Sequence, residues 1–188
     1  CEQYLLRLLA NFSRIPDWVI KEKKYTDLQA TAITHAMAHF DKCNLYIYDN
    51  LYKITDIERT TKMLKDRKGL DIIIIDYLQN LWGKGDIYER MSALAPSLQY
   101  LAKELQITII ALSQVNNESV KNKTPLLGYK GAGEIAASAD LGIEIERDKV
   151  NKDRMIVDVK KNRHGRTDKG ILEFVDGYTK LYEVLGEE

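Results

Sequence analysis

The most informative stretch of the sequence is residues 71–79, Asp-Ile-Ile-Ile-Ile-Asp-Tyr-Leu-Gln. Four consecutive β-branched side chains predict a strand that is buried on both faces, as in the middle of a parallel sheet. A second apolar run, Ile107–Leu112, predicts another such strand, and a helical pattern over about Ile87–Leu105 separates the two. Because parallel strands need a crossover connection, the three segments together predict a βαβ unit.

The segments that precede this unit predict helices. Apolar residues recur at helical spacing in two of them, and Thr55 followed by Glu58 matches a capping box that opens a third. Gly69 is a suitable residue to end that third helix. The predicted helices are Glu2–Ser13, Asp27–Phe40 and residues 55–68.

Other segments alternate apolar and polar residues, as strands do. Asn44–Tyr48 predicts a third parallel strand, and the part of the chain after Asp140 predicts antiparallel strands that extend the sheet, with a turn at Asp176-Gly177. No repeat or linker divides residues 1–188, so the sequence predicts a single α/β domain. The antiparallel candidates begin at Leu141, Met155, Ile171 and Thr179.

Composition describes an ordinary globular chain of 188 residues, with 45% hydrophobic residues, 28 basic and 28 acidic residues and a mean hydropathy of −0.34. It contains no run of eighteen apolar residues, which argues against a membrane-spanning helix. Cys1 and Cys43 lie far apart without metal-ligand spacing, so secreted and zinc-finger classes are poor candidates. We expect a cytoplasmic protein with no membrane partner. Since the first residue is not methionine and Glu2 already lies in a helical pattern, we also expect a piece of a longer chain.

Two basic segments stand out on this neutral chain. Ser119–Lys130 carries three lysines and no acid, and Lys149–Lys169 carries eight basic residues against three acids. A contact with a polyanion and a set of solvated loop lysines explain this pattern equally well on charge alone.

Polar residues follow both predicted parallel strands, where ligands of α/β sheets bind. Asp76 ends the first strand, and Ser113-Gln114 ends the second. A carboxylate at this edge can orient the water shell of Mg²⁺, and a nearby glutamine can reach a phosphate or a water. A strand-end aspartate that caps its own turn is the alternative for Asp76, and Gln114 could likewise satisfy its own turn.

The combination of motifs resembles the DnaB family of replicative helicases. Residues 72–79 look like the family's Walker B segment, and residues 111–116 look like its sensor motif. Three further segments keep the family's order and approximate spacing over almost the whole chain. These are Glu2–Ala10, Gly131–Ile135 with Ala139–Leu141 after it, and Lys161–Gly165.

The resemblance implies a fold, a nucleotide and roles for five residues. The fold would be a RecA-like P-loop NTPase core, the cofactors ATP and Mg²⁺, and Asp76 the Walker B carboxylate that acts on Mg²⁺ through water. Ser113 and Gln114 would lie at the nucleotide, where Gln114 senses the γ-phosphate. Lys161 and Arg163 would reach the nucleotide of the neighbouring subunit, with Arg163 as the arginine finger.

The same resemblance implies an ATP-dependent DNA helicase of DNA replication, a ring of six identical subunits that moves along single-stranded DNA, with primase and a helicase loader as possible further partners. A loop lining the ring's channel would contact DNA phosphates through backbone N–H groups and lysines. The DNA-binding candidates are Lys121, Lys123, Lys130, Gly131 and Gly133.

Each motif has a structural alternative. Lys161 and Arg163 alternate along a predicted strand and could form a solvated face of it, and the glycines could belong to a turn. For Tyr77, Trp82 and Tyr88, core packing or a subunit contact is favoured over base stacking. The histidines at positions 35 and 39 are interpreted as helix-surface residues rather than zinc ligands.

The phosphate loop of the family, GxxxxGK[ST], is absent from the 188 residues. Gly128 and Gly133 have its spacing, but Glu134 stands where the lysine belongs. Truncation upstream of Cys1 explains this most simply, and we expect the chain alone to hydrolyse ATP poorly or not at all. Two other classes stay open: a different RecA-like ring ATPase of recombinase or clock type, and an inactive ring or DNA-binding subunit.

Overall fold

The computed structural model describes residues 2–114, 132–175 and 180–184. Their contacts divide the chain into two compact units, each described by itself below. The single domain over residues 1–188 stays a prediction. The first unit contains residues 1–49, 145–158 and 168–188, and the second contains residues 50–144 and 159–167.

The first unit begins with three helices: α1 (Glu2–Ser13), α2 (Asp17–Lys21) and α3 (Asp27–Phe40). The bounds of α1 and α3 are those predicted. A capping box opens α3, in which the Thr26 hydroxyl accepts a hydrogen bond from the Gln29 N–H and the Gln29 side chain accepts one from the Thr26 N–H. The helices enclose a small apolar cluster of Ile15, Val19 and Ile33.

The second unit contains the predicted βαβ unit. Strands β1 (Ile72–Ile75) and β2 (Thr108–Ala111) pair in parallel, with Ile72 opposite Thr108 and Ile75 opposite Ala111. Helix α5 (Ile87–Leu105) connects them as predicted. The unit also contains α4 (Ile54–Lys68), a 3-10 turn (Leu78–Asn80) and α6 (Ala132–Ser138). Its buried core consists of Ile57, Ile75, Leu78, Leu81, Met91, Leu94 and Leu98.

Helix α4 corrects one prediction and confirms another. It begins at Ile54, and its N-cap, Lys53, makes no side-chain capping bond, so the predicted capping box at Thr55 is wrong because Thr55 already lies inside the helix. The helix ends at Lys68 as predicted. Gly69 then adopts a φ of +73°, a left-handed conformation that glycine reaches without a Cβ clash.

Strand β1 is buried on one face only, which contradicts the predicted burial on both. Ile75 is 8% exposed, whereas Ile72 is 54% and Ile74 is 65% exposed. Side chains alternate between the faces of a strand, so one face packs on the core of the second unit. Among the described residues, no layer covers the other face of this two-stranded sheet.

The predicted strand over Asn44–Tyr48 is also wrong. The structure assigns no strand to these residues, and the side chains of Leu45, Tyr46 and Tyr48 are all exposed. The alternation of residue types therefore buries no apolar face here, and the hydrophobic stabilisation that normally holds a strand in a sheet is absent.

The chain after Asp140 forms a four-stranded sheet in the order β3-β4-β5-β6. The β4–β5 and β5–β6 pairs are antiparallel, as predicted. The described strands form two sheets rather than one, so the prediction that this half extends the parallel sheet is wrong. The predicted turn at Asp176-Gly177 lies outside the described residues. The strands are β3 (Leu141–Arg147), β4 (Arg154–Asn162), β5 (Lys169–Val175) and β6 (Lys180–Glu183).

An Asx turn follows β3. The Asp148 carboxylate accepts hydrogen bonds from the N–H groups of Val150 (2.7 Å) and Asn151 (3.1 Å). These N–H groups lower the pKa of Asp148 because they stabilise its charged form.

Candidate functional site

Asp76 is the first residue after β1 and is exposed at the carboxyl end of the strand. Two buried residues hold its position, Ile75 on one side and Leu78, which is 1% exposed, on the other. Backbone bonds continue the pairing past the strands: the Leu112 N–H donates to the Ile75 carbonyl and the Leu78 N–H donates to the Leu112 carbonyl, each at 2.9 Å. Packing and pairing therefore hold the carboxylate at the edge where α/β sheets bind ligands.

Gln79 joins the ends of the two parallel strands. Its Nε2 donates to the Ser113 hydroxyl at 2.9 Å and to the Gln114 carbonyl at 3.1 Å, and its Oε1 accepts from the Gln114 N–H at 3.2 Å. Beyond the last paired residues of β1 and β2, the Gln79 side-chain amide thus makes the two hydrogen bonds to Gln114 that a neighbouring strand backbone would otherwise make. As predicted, Asp76, Ser113 and Gln114 lie at one edge of the sheet.

Sequence reasoning missed Gln79 as a site residue. The available signal was its place three residues after Asp76, inside the segment that resembles Walker B. A side-chain amide donates through its nitrogen and accepts through its oxygen, so Gln79 can bind both the carbonyl and the N–H of Gln114, which an ionised carboxylate cannot do.

The donors at this edge suit a hard cation that keeps most of its water. Asp76 supplies one carboxylate, and Ser113 and Gln114 supply neutral oxygens. Nowhere in the described part of the chain do three or more His, Cys, Asp or Glu side chains gather as a metal site. Mg²⁺ bound to phosphates usually takes only one or two protein carboxylates, so the donor set fits this ion.

Lys161 lies in β4 and caps the carboxyl end of α6. Its Nζ donates to the carbonyls of Ala136 (2.7 Å) and Ala137 (2.9 Å), and Gln99 Nε2 donates to the next carbonyl, that of Ser138, at 2.8 Å. The last carbonyls of a helix lack partners within the helix and carry its negative dipole end, which favours a cation there. The interpretation of Lys161 as part of a solvated face is therefore wrong.

Arg163 is the first residue after β4, which ends at Asn162. The expectation that Lys161 and Arg163 alternate along one strand is wrong, because Arg163 has left it. Its backbone N–H donates to the Asp140 carbonyl at 2.9 Å, and its Nη1 pairs with Asp140 Oδ1. The two side chains are 45% and 53% exposed, so this ion pair lies at the surface.

Most of the DNA-binding candidates lie outside the described residues: Lys121, Lys123, Lys130 and Gly131. Gly133 is described, and it is the second residue of α6 rather than part of a loop. The placement of Gly133 on a channel loop is therefore wrong, while its contact with DNA stays a prediction.

Two of the aromatic and histidine candidates stack on other rings of the chain. Trp82 stacks on Tyr52 with ring centroids 5.2 Å apart, although it is 61% exposed. His39 stacks on Phe12 at 4.6 Å, and His35 is exposed on the same helix, as expected of helix-surface residues. None of the described helices is long and apolar enough to cross a membrane.

The sequence of this chain is similar to those of known proteins. The chain is 30% identical over 194 residues to the replicative DNA helicase DnaB of Geobacillus stearothermophilus, covering 96% of this chain and 43% of the relative. It therefore spans less than half the length of the curated relatives that it matches.

Two solved structures share the fold. One is described as an ATPase domain, and it superposes with a TM-score of 0.85 at 22% identity, covering 98% of this chain and 71% of that one. The other is a DnaB-like replicative helicase, solved to describe its interactions with primase. It superposes with a TM-score of 0.83 at 23% identity, covering 95% of this chain and 48% of that one. The predicted α/β, RecA-like fold class is confirmed.

A family model extends this likeness across the sequence. The model of the DnaB-like helicase C-terminal domain matches residues 1–183, which include the ends of β1, β2 and β4. The chain therefore belongs to the family of DnaB-like helicase C-terminal domains.

Proposed function

We propose that this chain is the motor part of an ATP-dependent replicative DNA helicase that moves along single-stranded DNA and separates the duplex. Family membership supports the class of protein. The observation that supports the proposal is the Gln79 bridge, which joins the ends of β1 and β2, so that Asp76, Ser113 and Gln114 lie at one edge of the sheet. This is the edge at which a nucleotide binds in an open α/β sheet.

The residues at this edge fit ATP and Mg²⁺. When bound, Mg²⁺ would neutralise phosphate charge. Asp76 would accept hydrogen bonds from the ion's waters, Ser113 would contact a phosphate, and Gln114 would hydrogen-bond the terminal phosphate or the attacking water. The exposure of Asp76 and Gln114 leaves both side chains accessible for these contacts.

Arg163 would act on the nucleotide of a neighbouring subunit in a ring of six identical subunits. The guanidinium has five N–H donors, and the bond to Asp140 uses Nη1. The remaining donors can stabilise charge on the transferred phosphoryl group. Lys161 would add its charge to the same interface, although two of its three N–H donors already serve the end of α6.

Single-stranded DNA would be held by the basic segment between β2 and α6 together with the first turn of α6. Lysines and glycine N–H groups contact phosphates without regard to sequence, as a moving helicase requires. The proposed contacts are Lys121, Lys123, Lys130, Gly131 and Gly133. One solved relative is described with primase, and we propose primase and a helicase loader as partners in the cytoplasm.

Mixing two inactive variants tests the shared site. In the full-length protein, Asp76→Asn and Arg163→Ala should each lower ATP turnover on the order of a thousandfold while ATP binding is kept. Rings reassembled from equal amounts of both variants should regain about a quarter of the active interfaces, because one neighbour supplies an intact Asp76 and the other an intact Arg163. Asp71→Asn and Arg166→Ala, exposed residues near the same strand and loop, serve as controls.

The outcomes separate the alternatives. No recovery in mixed rings would contradict the contribution of Arg163 to a neighbour. ATP turnover without unwinding of a forked duplex would favour a different ring ATPase. A full-length protein that does not bind ATP would favour an inactive subunit.

A further inference from the structure

Asp140 contacts Arg163 at two points. The Asp140 carbonyl accepts the Arg163 backbone N–H at 2.9 Å, and the Asp140 carboxylate pairs with Nη1 of the same residue. The first contact holds the backbone at the root of the arginine side chain, and the second holds its tip. One residue therefore restrains both ends of a side chain that otherwise samples many rotamers.

The segment that carries Asp140 is itself anchored. The Ala139 N–H donates to the Ile135 carbonyl at 3.0 Å, which completes the last turn of α6. Lys161 and Gln99 bind the final carbonyls of this helix from β4 and α5. Asp140 is thus placed between an anchored helix end and the first residue of β3, and it can serve as a fixed point for the arginine.

A stabilising role in folding is a weak explanation for this pair. Both side chains are about half exposed, and exposed ion pairs contribute little to stability. The pair can contribute more to anion binding than to folding, because an arginine that is already held in place loses less conformational entropy when it binds an anion. Since Asp140 engages Nη1, the rest of the guanidinium stays available for a phosphate.

We propose that Asp140 is a positioning residue that orients Arg163 toward the nucleotide of the neighbouring subunit. This inference rests on the proposed function of Arg163. Asp140 itself touches no nucleotide, and its effect passes entirely through the guanidinium that it holds. The orientation matters for the transition state more than for the bound substrate, so turnover depends on it more than substrate affinity does.

The test uses the full-length protein and compares kcat with KM for ATP. Asp140→Asn keeps the side-chain shape and removes the charge, and we expect kcat to fall about tenfold with KM changed less than about twofold. Asp140→Glu should keep a larger part of kcat, because it retains a carboxylate. Glu104→Gln, which removes the carboxylate of another exposed pair (Lys62–Glu104, 2.9 Å), should leave both constants unchanged.

A double variant shows whether the effect passes through the arginine. When Arg163 is already replaced by alanine, Asp140→Asn should lower kcat no further. An equal loss in both backgrounds, or a normal kcat for Asp140→Asn beside an inactive Arg163→Ala, would overturn this inference alone. A normal kcat for Arg163→Ala would overturn the proposed role of Arg163 together with it. The unfolding temperature and the ring size of each variant should be unchanged, which would show that a lower kcat does not come from misfolding.

Discussion

Asp76 and Arg163 are each the first residue after a strand, but different forces hold them. Core packing places Asp76, because Ile75 and Leu78 on either side of it are buried. Polar contacts place Arg163, through the backbone and carboxylate of Asp140. Apolar packing does not depend on the charge of any side chain, whereas the placement of Arg163 depends on the carboxylate of Asp140. A single change of charge can therefore disturb the second strand end and not the first.

The first prediction concerns the packing beneath Asp76. Ile75→Ala should lower the free energy of unfolding of the 188-residue chain by about 3 kcal/mol, because it leaves a cavity in the core of the second unit. Ile74→Ala, on the exposed face of the same strand, should cost less than about 1 kcal/mol. Urea unfolding measures both. Equal losses would contradict the one-sided burial of β1.

The second prediction concerns the amide that joins the strand ends. Gln79→Ala removes all three hydrogen bonds to Ser113 and Gln114 and should lower the kcat for ATP in the full-length protein about tenfold. Gln79→Glu can still accept the Gln114 N–H but cannot donate, so its loss should be intermediate or equal. Asn80→Ala, at the exposed neighbouring position, is the control. A normal kcat for Gln79→Ala would show that the strand ends are held without it.

The third prediction concerns the cation at the end of α6. Lys161→Ala should weaken the last turn of the helix by about 1 kcal/mol, since two carbonyls lose a charged donor. Hydrogen exchange of the amides of α6 measures this locally. Lys160→Ala, which removes a lysine paired with Glu144 at 3.5 Å, should leave those amides unchanged. Faster exchange in both variants would point to a general loosening of β4 instead.

The sequence predicts the packed strand end better than the polar one. Apolar runs identified β1, α5 and β2 and placed Asp76 and Gln114 at one edge, because burial leaves a periodic pattern of residue types. The pairing of Arg163 with Asp140 joins residues 23 positions apart and leaves no such pattern. The resemblance suggested roles for Lys161 and Arg163, but it did not reveal their partners within the chain.

Two errors in the prediction of the fold have the same origin. Four isoleucines indicated burial of β1 on both faces, and alternation indicated a strand at Asn44–Tyr48. Both patterns show that the residue types suit a sheet, but they do not show that a neighbouring strand or a covering layer is present. The capping box shows a similar limit. The motif at Thr55 and Glu58 forms no cap, whereas Thr26 and Gln29 form one, because the chain must leave the helix at that residue for its hydroxyl to reach back.

One face of the parallel pair is left uncovered by the described residues, and this affects the behaviour of the isolated polypeptide in solution. Ile72 and Ile74 in β1, Ile110 in β2 and Leu112 directly after β2 are 42–65% exposed, and they occupy alternate positions along the two paired segments. The isolated chain should therefore self-associate at high concentration. Because association through exposed apolar surface is hydrophobic, it should be stronger when sulfate is added and weaker at low temperature. Light scattering across a dilution series would measure this self-association. Low protein concentration, low temperature and a sulfate-free buffer are therefore suited to purification.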